Sequence, residues 1–236
     1  MKRTVISLYD FTGEAARPWA VAGYRCVCFD IQHSRVAPRT EHYQGGGAIT
    51  FIHADLHSRD VLSEIVMAYQ DDAAFMMAFP VCTDMAVSGA AHFQNKTDVD
   101  ALFQHKAVDH AIWCGKVGDA LGCPYFIENP VSVLSTQWRK PDHAFQPFEF
   151  GGYIPESEAA HPIWPDYIAP RDAYPKKTCL WTGGGFAMPE LRPVECPKGY
   201  SDQHKKLGGK SMKTKNIRSA TPRGFANAVF QANAAI

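Results

Sequence analysis

Ala73-Ala-Phe-Met-Met-Ala-Phe-Pro80 is a continuous apolar run closed by a proline, and it leads directly into Val81-Cys-Thr-Asp-Met-Ala-Val-Ser-Gly89. A short run with no polar face suits a strand buried on both sides, the habit of a central parallel strand. Working outward, Thr4–Phe11 opens as an apolar strand and turns at Thr12-Gly13. Ala16–Gly23 follows as a helix stopped by Gly23. Tyr24–Ile31 alternates and reads as a second strand, and Gly47–Leu56 as a third. Val61–Tyr69 has helical spacing. Beyond the quoted run, Val99–Leu121 reads as one long amphipathic helix and Pro124–Pro130 as the next strand.

This alternation predicts an α/β fold with a doubly wound, mostly parallel, Rossmann-like sheet. In such sheets ligands bind beyond the carboxyl ends of the strands. Asp10, Asp30, Asp55, Cys82 and Glu128 all fall at or just past a predicted strand end. That recurrence marks one edge of the sheet as the place for chemistry.

From Ser132 the texture changes to frequent prolines and aromatics with poor periodicity, which predicts a small loop-rich C-terminal appendage. The expected division is a core over residues 1–135, a small lobe over 136–217 and a terminal helix over 218–236 that returns to the core. Residues 198–223 carry Lys198, Lys205, Lys206, Lys210, Lys213, Lys215, Arg218 and Arg223 against Asp202 alone. Such a block either tracks phosphates or is a solvated loop. The aromatics between Trp138 and Trp181 could stack bases, although packing a loop-rich lobe is their plainer use.

Of 236 residues, 46% are hydrophobic and 20% charged, the balance of an ordinary globular protein. Lys+Arg and Asp+Glu both number 24, so net charge points to no polyanion partner. The seven cysteines are scattered, with neither a disulfide framework nor paired zinc knuckles, so no metal is expected. No apolar stretch before Asp10 suits a signal peptide, and no run approaches the ~20 residues that span a bilayer. The expectation is a cytoplasmic protein with no membrane partner.

The stretch Phe79–Gly89 resembles the Pro-Pro-Cys-Gln loop of the DNA cytosine-5 methyltransferases, with Pro80 and Ser88-Gly89 kept and Val81 and Thr83 in place of the second proline and the glutamine. Phe126-Ile-Glu-Asn-Pro130 resembles that family's Glu-Asn-Val motif, 128 − 82 = 46 residues on. Ser7-Leu-Tyr-Asp10 with Gly13 is similar to its first motif. Within the family the chain looks closest to short, phage-encoded members, through Leu134–Gly151, Tyr174–Gly184 and Arg218–Ala228; for a phage protein the compartment would be the host cytoplasm.

The resemblance implies a Rossmann-like methyltransferase sheet, S-adenosyl-L-methionine as cofactor and DNA as partner. It implies Cys82 as the nucleophile that adds to carbon 6 of cytosine, and Glu128 as the acid at the ring's N3 and amine. Asp10, Gly13 and Pro80 would border the cofactor, Asp30 its ribose hydroxyls and Asp55 its adenine amine. Asn129, Pro130, Lys177 and Thr178 would border the substrate. The family's Gln-x-Arg-x-Arg motif has two candidate places, Lys176-Lys177-Thr178 and Gln137-Trp138-Arg139. Each of these residues also has an ordinary use: a buried inert thiol for Cys82, a cap for Glu128, strand-end carboxylates for the aspartates. Only residues 185–217 remain for target recognition, which leaves open a free pyrimidine nucleotide or modified base as substrate. A catalytically silent nucleic-acid-binding homologue is the reading from outside enzymology.

Overall fold

The computed structural model describes residues 3–208 and 211–234. Five parallel strands form its centre: β1 (Thr4–Leu8), β2 (Arg25–Asp30), β4 (Ala48–His53), β5 (Ala73–Ala78) and β6 (Tyr125–Pro130). β3 (Arg39–His42) pairs antiparallel with β4 at one edge. β8 (Thr178–Gly183) runs antiparallel to β6, and β7 (His143–Phe145) antiparallel to β8 at the other edge. The order is β3-β4-β2-β1-β5-β6-β8-β7. The chain winds one way from β1 and the other way from β5, so the switch point lies between the carboxyl ends of those two strands. That crevice is where open α/β sheets bind ligands.

Alternate residues of each central strand feed two separate cores. Ile6 and Leu8 join one, with Leu62 and Ile65 of helix α2 (Arg59–Tyr69) and Val108, Ala111 and Val117 of α4 (Phe103–Leu121). Val5 joins the other, with Trp19 and Ala20 of α1 (Arg17–Val21) and Phe225, Ala228 and Val229 of α8 (Arg223–Asn233). Helices therefore cover both faces, and each leucine- or phenylalanine-sized side chain removed from water contributes roughly 1.5–3 kcal/mol.

The structure departs from the sequence reading in three places. The long helix expected from Val99 is broken: α3 (Phe93–Val99) ends, Asp100 is extended (φ −145°, ψ 101°), and α4 starts at Phe103. Asp100 accepts the Leu102 amide at 3.0 Å, a side-chain turn that competes with the helix. Two short edge strands, β3 and β7, were not foreseen. Finally, the sheet runs on past residue 135, because β7 and β8 belong to it.

The rest of the 136–217 stretch has a small core of its own around Ile168, Tyr174, Leu207 and Ile217. The basic block forms α6 (Asp202–Lys206), α7 (Met212–Ser219) and the start of α8; Lys210 lies outside the described residues. Among the described residues no helix is long and apolar enough to cross a membrane.

Candidate active site

Two loops meet beside the switch point. After β5 the chain passes through Pro80, and the Cys82 carbonyl accepts the amides of Met85 (3.0 Å) and Ala86 (2.8 Å), which turns the loop back. The strand-end motif of β6 is bonded to this loop. Asn129 Nδ2 donates to the Pro80 carbonyl at 3.0 Å, Val87 N to the Val131 carbonyl at 3.1 Å, and Val133 N to the Met85 carbonyl at 3.1 Å. Cys82 and Glu128, 46 positions apart (128 − 82), are thus held on adjoining strand ends by a shared hydrogen-bond frame. Asn129 is fully buried in it and acts as the strut between the two motifs.

Glu128 lines a narrow pocket with Phe79, Phe145, Lys176, Thr178 and residues 219–222. The enclosed room is about 10 Å³, the space of one water. A pyrimidine ring entering it has to displace a lining segment. Oε1 of Glu128 is buried without a hydrogen-bond partner among the described residues, as are Asn129 Oδ1 and Ser132 Oγ. An unpartnered buried oxygen costs about 1–3 kcal/mol unless something completes it. Burial pushes the Glu128 carboxyl above its usual range, and the Lys176 ammonium opposes the shift. Burial and then the Glu128 charge push the Cys82 thiol up, again opposed by Lys176. The three side chains share one electrostatic site: a thiol and an acid that burial pushes up, and a cation that opposes both shifts.

That cation is Lys176. Its Nζ donates to the Arg218 carbonyl at 2.9 Å, and its amide to Gln146 Oε1 at 2.7 Å. Thr178 is buried and donates to the Lys176 carbonyl at 2.9 Å. Lys177, expected at the substrate, is exposed and does not line the pocket. Alternation entering β8 turns Lys176 and Thr178 one way and Lys177 the other. Pro130 closes β6 opposite Thr178. The other proposed place for this motif is structural: Trp138 stacks on Trp181, and Arg139 pairs with Asp142 at 2.7 Å.

At the end of β1, beside the switch point, Asp10 is buried and fully engaged. Its Oδ1 accepts the amides of Gly13 (2.7 Å) and Thr12 (3.1 Å), and its Oδ2 accepts Ser7 Oγ (2.8 Å). It builds the turn. Gly13 has φ +71°, and a Cβ there would meet the Phe51 ring at 2.9 Å. Tyr9, just before, is also left-handed (φ 58°), a costly conformation typical of functional loops. Asp30 ends β2, is buried, accepts the Gln32 amide at 2.8 Å, and has its carboxyl pushed up by burial. Asp55 is exposed and accepts the His57 amide at 3.1 Å, starting the turn into α2. Between Asp10 and Asp30, Phe11 stacks on His33 with centroids 5.6 Å apart. Neither aromatic was singled out in the sequence, where nothing distinguishes them from core residues.

No protein-family model matches the chain, and no curated protein matches it. The site therefore rests on its own chemistry. Among the described residues no group of three His, Cys, Asp or Glu side chains is placed to hold a metal ion.

The basic block is mostly occupied with its own structure. Lys198 and Lys206 pair with Asp202, Arg218 donates to the Leu207 carbonyl, and Arg223 donates to the carbonyls of Glu158, Ala159 and Ala160. Among the aromatics of the appendage, Phe145, Phe150, Tyr174 and Trp181 are core.

Proposed function

We propose that this chain is an S-adenosylmethionine-dependent methyltransferase that acts on carbon 5 of cytosine in DNA through a covalent Cys82 adduct. The observation that carries the reading is the Asn129–Pro80 hydrogen bond, which ties the Cys82 loop to the strand end that carries Glu128, whose Oε1 is unpartnered among the described residues. The sheet order fits the Rossmann-like methyltransferase sheet that the sequence resemblance implies.

The switch-point loops suit the cofactor: a buried carboxylate, Asp30, for paired hydroxyls, an aromatic face, Phe11, for a purine, and the Gly13 turn for the amino-acid end. On this reading Asp55 would border the adenine amine, and Pro80 would border the cofactor. When bound, S-adenosylmethionine supplies an electrophilic methyl group. The chain's own part begins when the Cys82 thiol gives its proton to a solvent water and its sulfur bonds to carbon 6 of the ring. The Glu128 proton passes to N3 as the ring's electrons shift, so no full charge builds up on the base. Lys176 is the cation available to the ring carbonyl and to the forming thiolate. After transfer a water molecule takes the proton on carbon 5, the carbon–sulfur bond breaks with its electron pair returning to the Cys82 sulfur as thiolate, and N3 returns its proton to Glu128. A raised thiol fits this order, because deprotonation is coupled to substrate arrival rather than stored in the free enzyme.

A free pyrimidine nucleotide is the second reading, favoured by the number of block cations already tied to Asp202 and to backbone carbonyls. Incubation with methyl-labelled S-adenosylmethionine and either duplex DNA or cytidine nucleotides separates the two. The proposal expects label in 5-methylcytosine from DNA, none with Cys82→Ser, and cofactor binding weakened by about 1–3 kcal/mol in Asp30→Ala. Label confined to nucleotides selects the second reading. Label on an exocyclic amine, or none from either substrate, overturns both.

A further inference from the structure

On the face opposite α1 and α8, a cleft with about 260 Å³ of room opens between the start of α2 and α4. That is some twenty times the ~10–15 Å³ one water needs. Two imidazoles form one wall. His57, in the loop before α2, stacks on His110 of α4 with centroids 4.0 Å apart and planes within 12°. The lining also includes Arg59, whose guanidinium lies 4.5 Å over the Trp113 ring, and Lys106, one turn before His110 on α4. Leu62 is the apolar floor, and Asp109 is the one acid in the lining. Lys106 also pairs with Asp100 at 2.7 Å.

We propose that this cleft binds a phosphate-class oxyanion, gripped by Arg59 and Lys106 and completed by a proton that His110, stacked on His57, takes up on binding. The lining has two cations against one acid, which disfavours a metal ion or a cationic ligand. Parallel imidazoles at this distance cannot both be charged without an anion beside them. Burial, then the neighbouring His57 and Arg59, hold His110 below its ordinary range, against the pull of Asp109 and Asp55. Lys116, over the far side of Trp113, adds positive field from α4. Tyr9, at the end of β1, faces His57 as a neutral phenol, its pKa raised by burial. An oxyanion in the cleft supplies the charge that makes a protonated imidazole favourable, so affinity rises as pH falls through the imidazole range. The site owes nothing to Cys82 or to the cofactor.

The oxyanion has two sources, a phosphomonoester and the phosphodiester backbone of a nucleic acid. The test follows the His57 and His110 ring protons of the full chain by nuclear magnetic resonance across pH, alone, with inorganic phosphate, and with a short oligonucleotide lacking terminal phosphates. The expected result is an upward move of the His110 midpoint with at least one of them. Calorimetry in two buffers should show proton uptake, and affinity should fall roughly tenfold in Arg59→Gln or Lys106→Gln. A response to phosphate alone assigns the site to monoesters; a response to the oligonucleotide assigns it to backbone. Unmoved midpoints with both probes overturn the proposal. So do equal midpoint shifts in the wild type and in the folded Arg59→Gln and Lys106→Gln proteins.

Discussion

Asp10, buried, and Glu128, half-buried with its Oε1 enclosed, are both carboxylates at carboxyl ends of parallel strands, and the molecule uses them in opposite ways. Asp10 spends both oxygens on its own turn, through two backbone amides and Ser7. Glu128 leaves Oε1 buried and unpartnered in a pocket it shares with Lys176. The first arrangement makes a rigid loop; the second holds an incomplete one. Buried polar groups are ordinarily satisfied, so the unsatisfied carboxylate is where a substrate atom is expected. Position at the strand end marks both residues as candidates, but only their hydrogen bonds separate the turn-builder from the proposed reactant.

Substitution should separate the pair widely. Glu128→Gln is expected to cut methyl transfer by about 10²–10⁴-fold, because a carboxamide has no proton to hand to N3. Its thermal stability should not fall, since a buried ionisable group is removed. Asp10→Asn places an amide donor among donors and should cost about 1–3 kcal/mol in denaturant unfolding. A stable Asp10→Asn protein beside an active, destabilised Glu128→Gln protein would reverse the assignment.

The neighbouring lysines sharpen the same contrast. Lys176→Ala should lower kcat/KM by roughly tenfold or more by removing the cation beside the thiol and the acid. Lys177→Ala should change it by less than about twofold, as expected of an exposed side chain outside the pocket. Equal effects would mean that the face alternation entering β8 does not set the site.

A smaller effect concerns the cluster behind the pocket. Burial raises Asp172 to about 6, opposed by the Gly224 amide and Arg223, and burial with Arg223 lowers His161 to about 4. For Asp172 the folded protein holds the proton more tightly, so stability falls as pH rises from about 3.8 to about 6. For His161 the unfolded chain protonates first, so stability falls as pH drops from 6.5 to about 4. The two slopes oppose over nearly the same window, each on the order of 3 kcal/mol. Wild-type stability should therefore be nearly flat there. Asp172→Asn should make it rise with pH, and His161→Asn should make it fall. Parallel curves for all three proteins would show that neither group is perturbed.

Much of this was legible in the chain. The apolar runs at Thr4, Tyr24, Gly47, Ala73 and Pro124 mark the five parallel strands, because strands buried on both faces carry their signal in composition. β3, Arg-Thr-Glu-His, and β7, His-Ala-Phe, have no such signal, and their pairing comes from neighbours rather than from local preference. The break at Asp100 was hidden because the apolar period continues across it. Cys82 and Glu128 are candidates by motif, but that Asn129 is a strut, Lys176 the inward cation and Asp10 already spent depends on register and hydrogen bonds. The His57–His110 cleft joins segments more than forty residues apart with no motif to announce it.

The most direct measurement uses DNA bearing cytosine with fluorine at carbon 5. If the Cys82 sulfur bonds to carbon 6, the fluorine blocks the final proton removal and the carbon–sulfur bond persists. The account predicts a covalent protein–DNA species on a denaturing gel, dependent on S-adenosylmethionine, absent in Cys82→Ser, and retained when each of the other six cysteines is replaced in a folded protein. Trapping that survives in Cys82→Ser, or methylation of DNA that needs no cysteine, would contradict it.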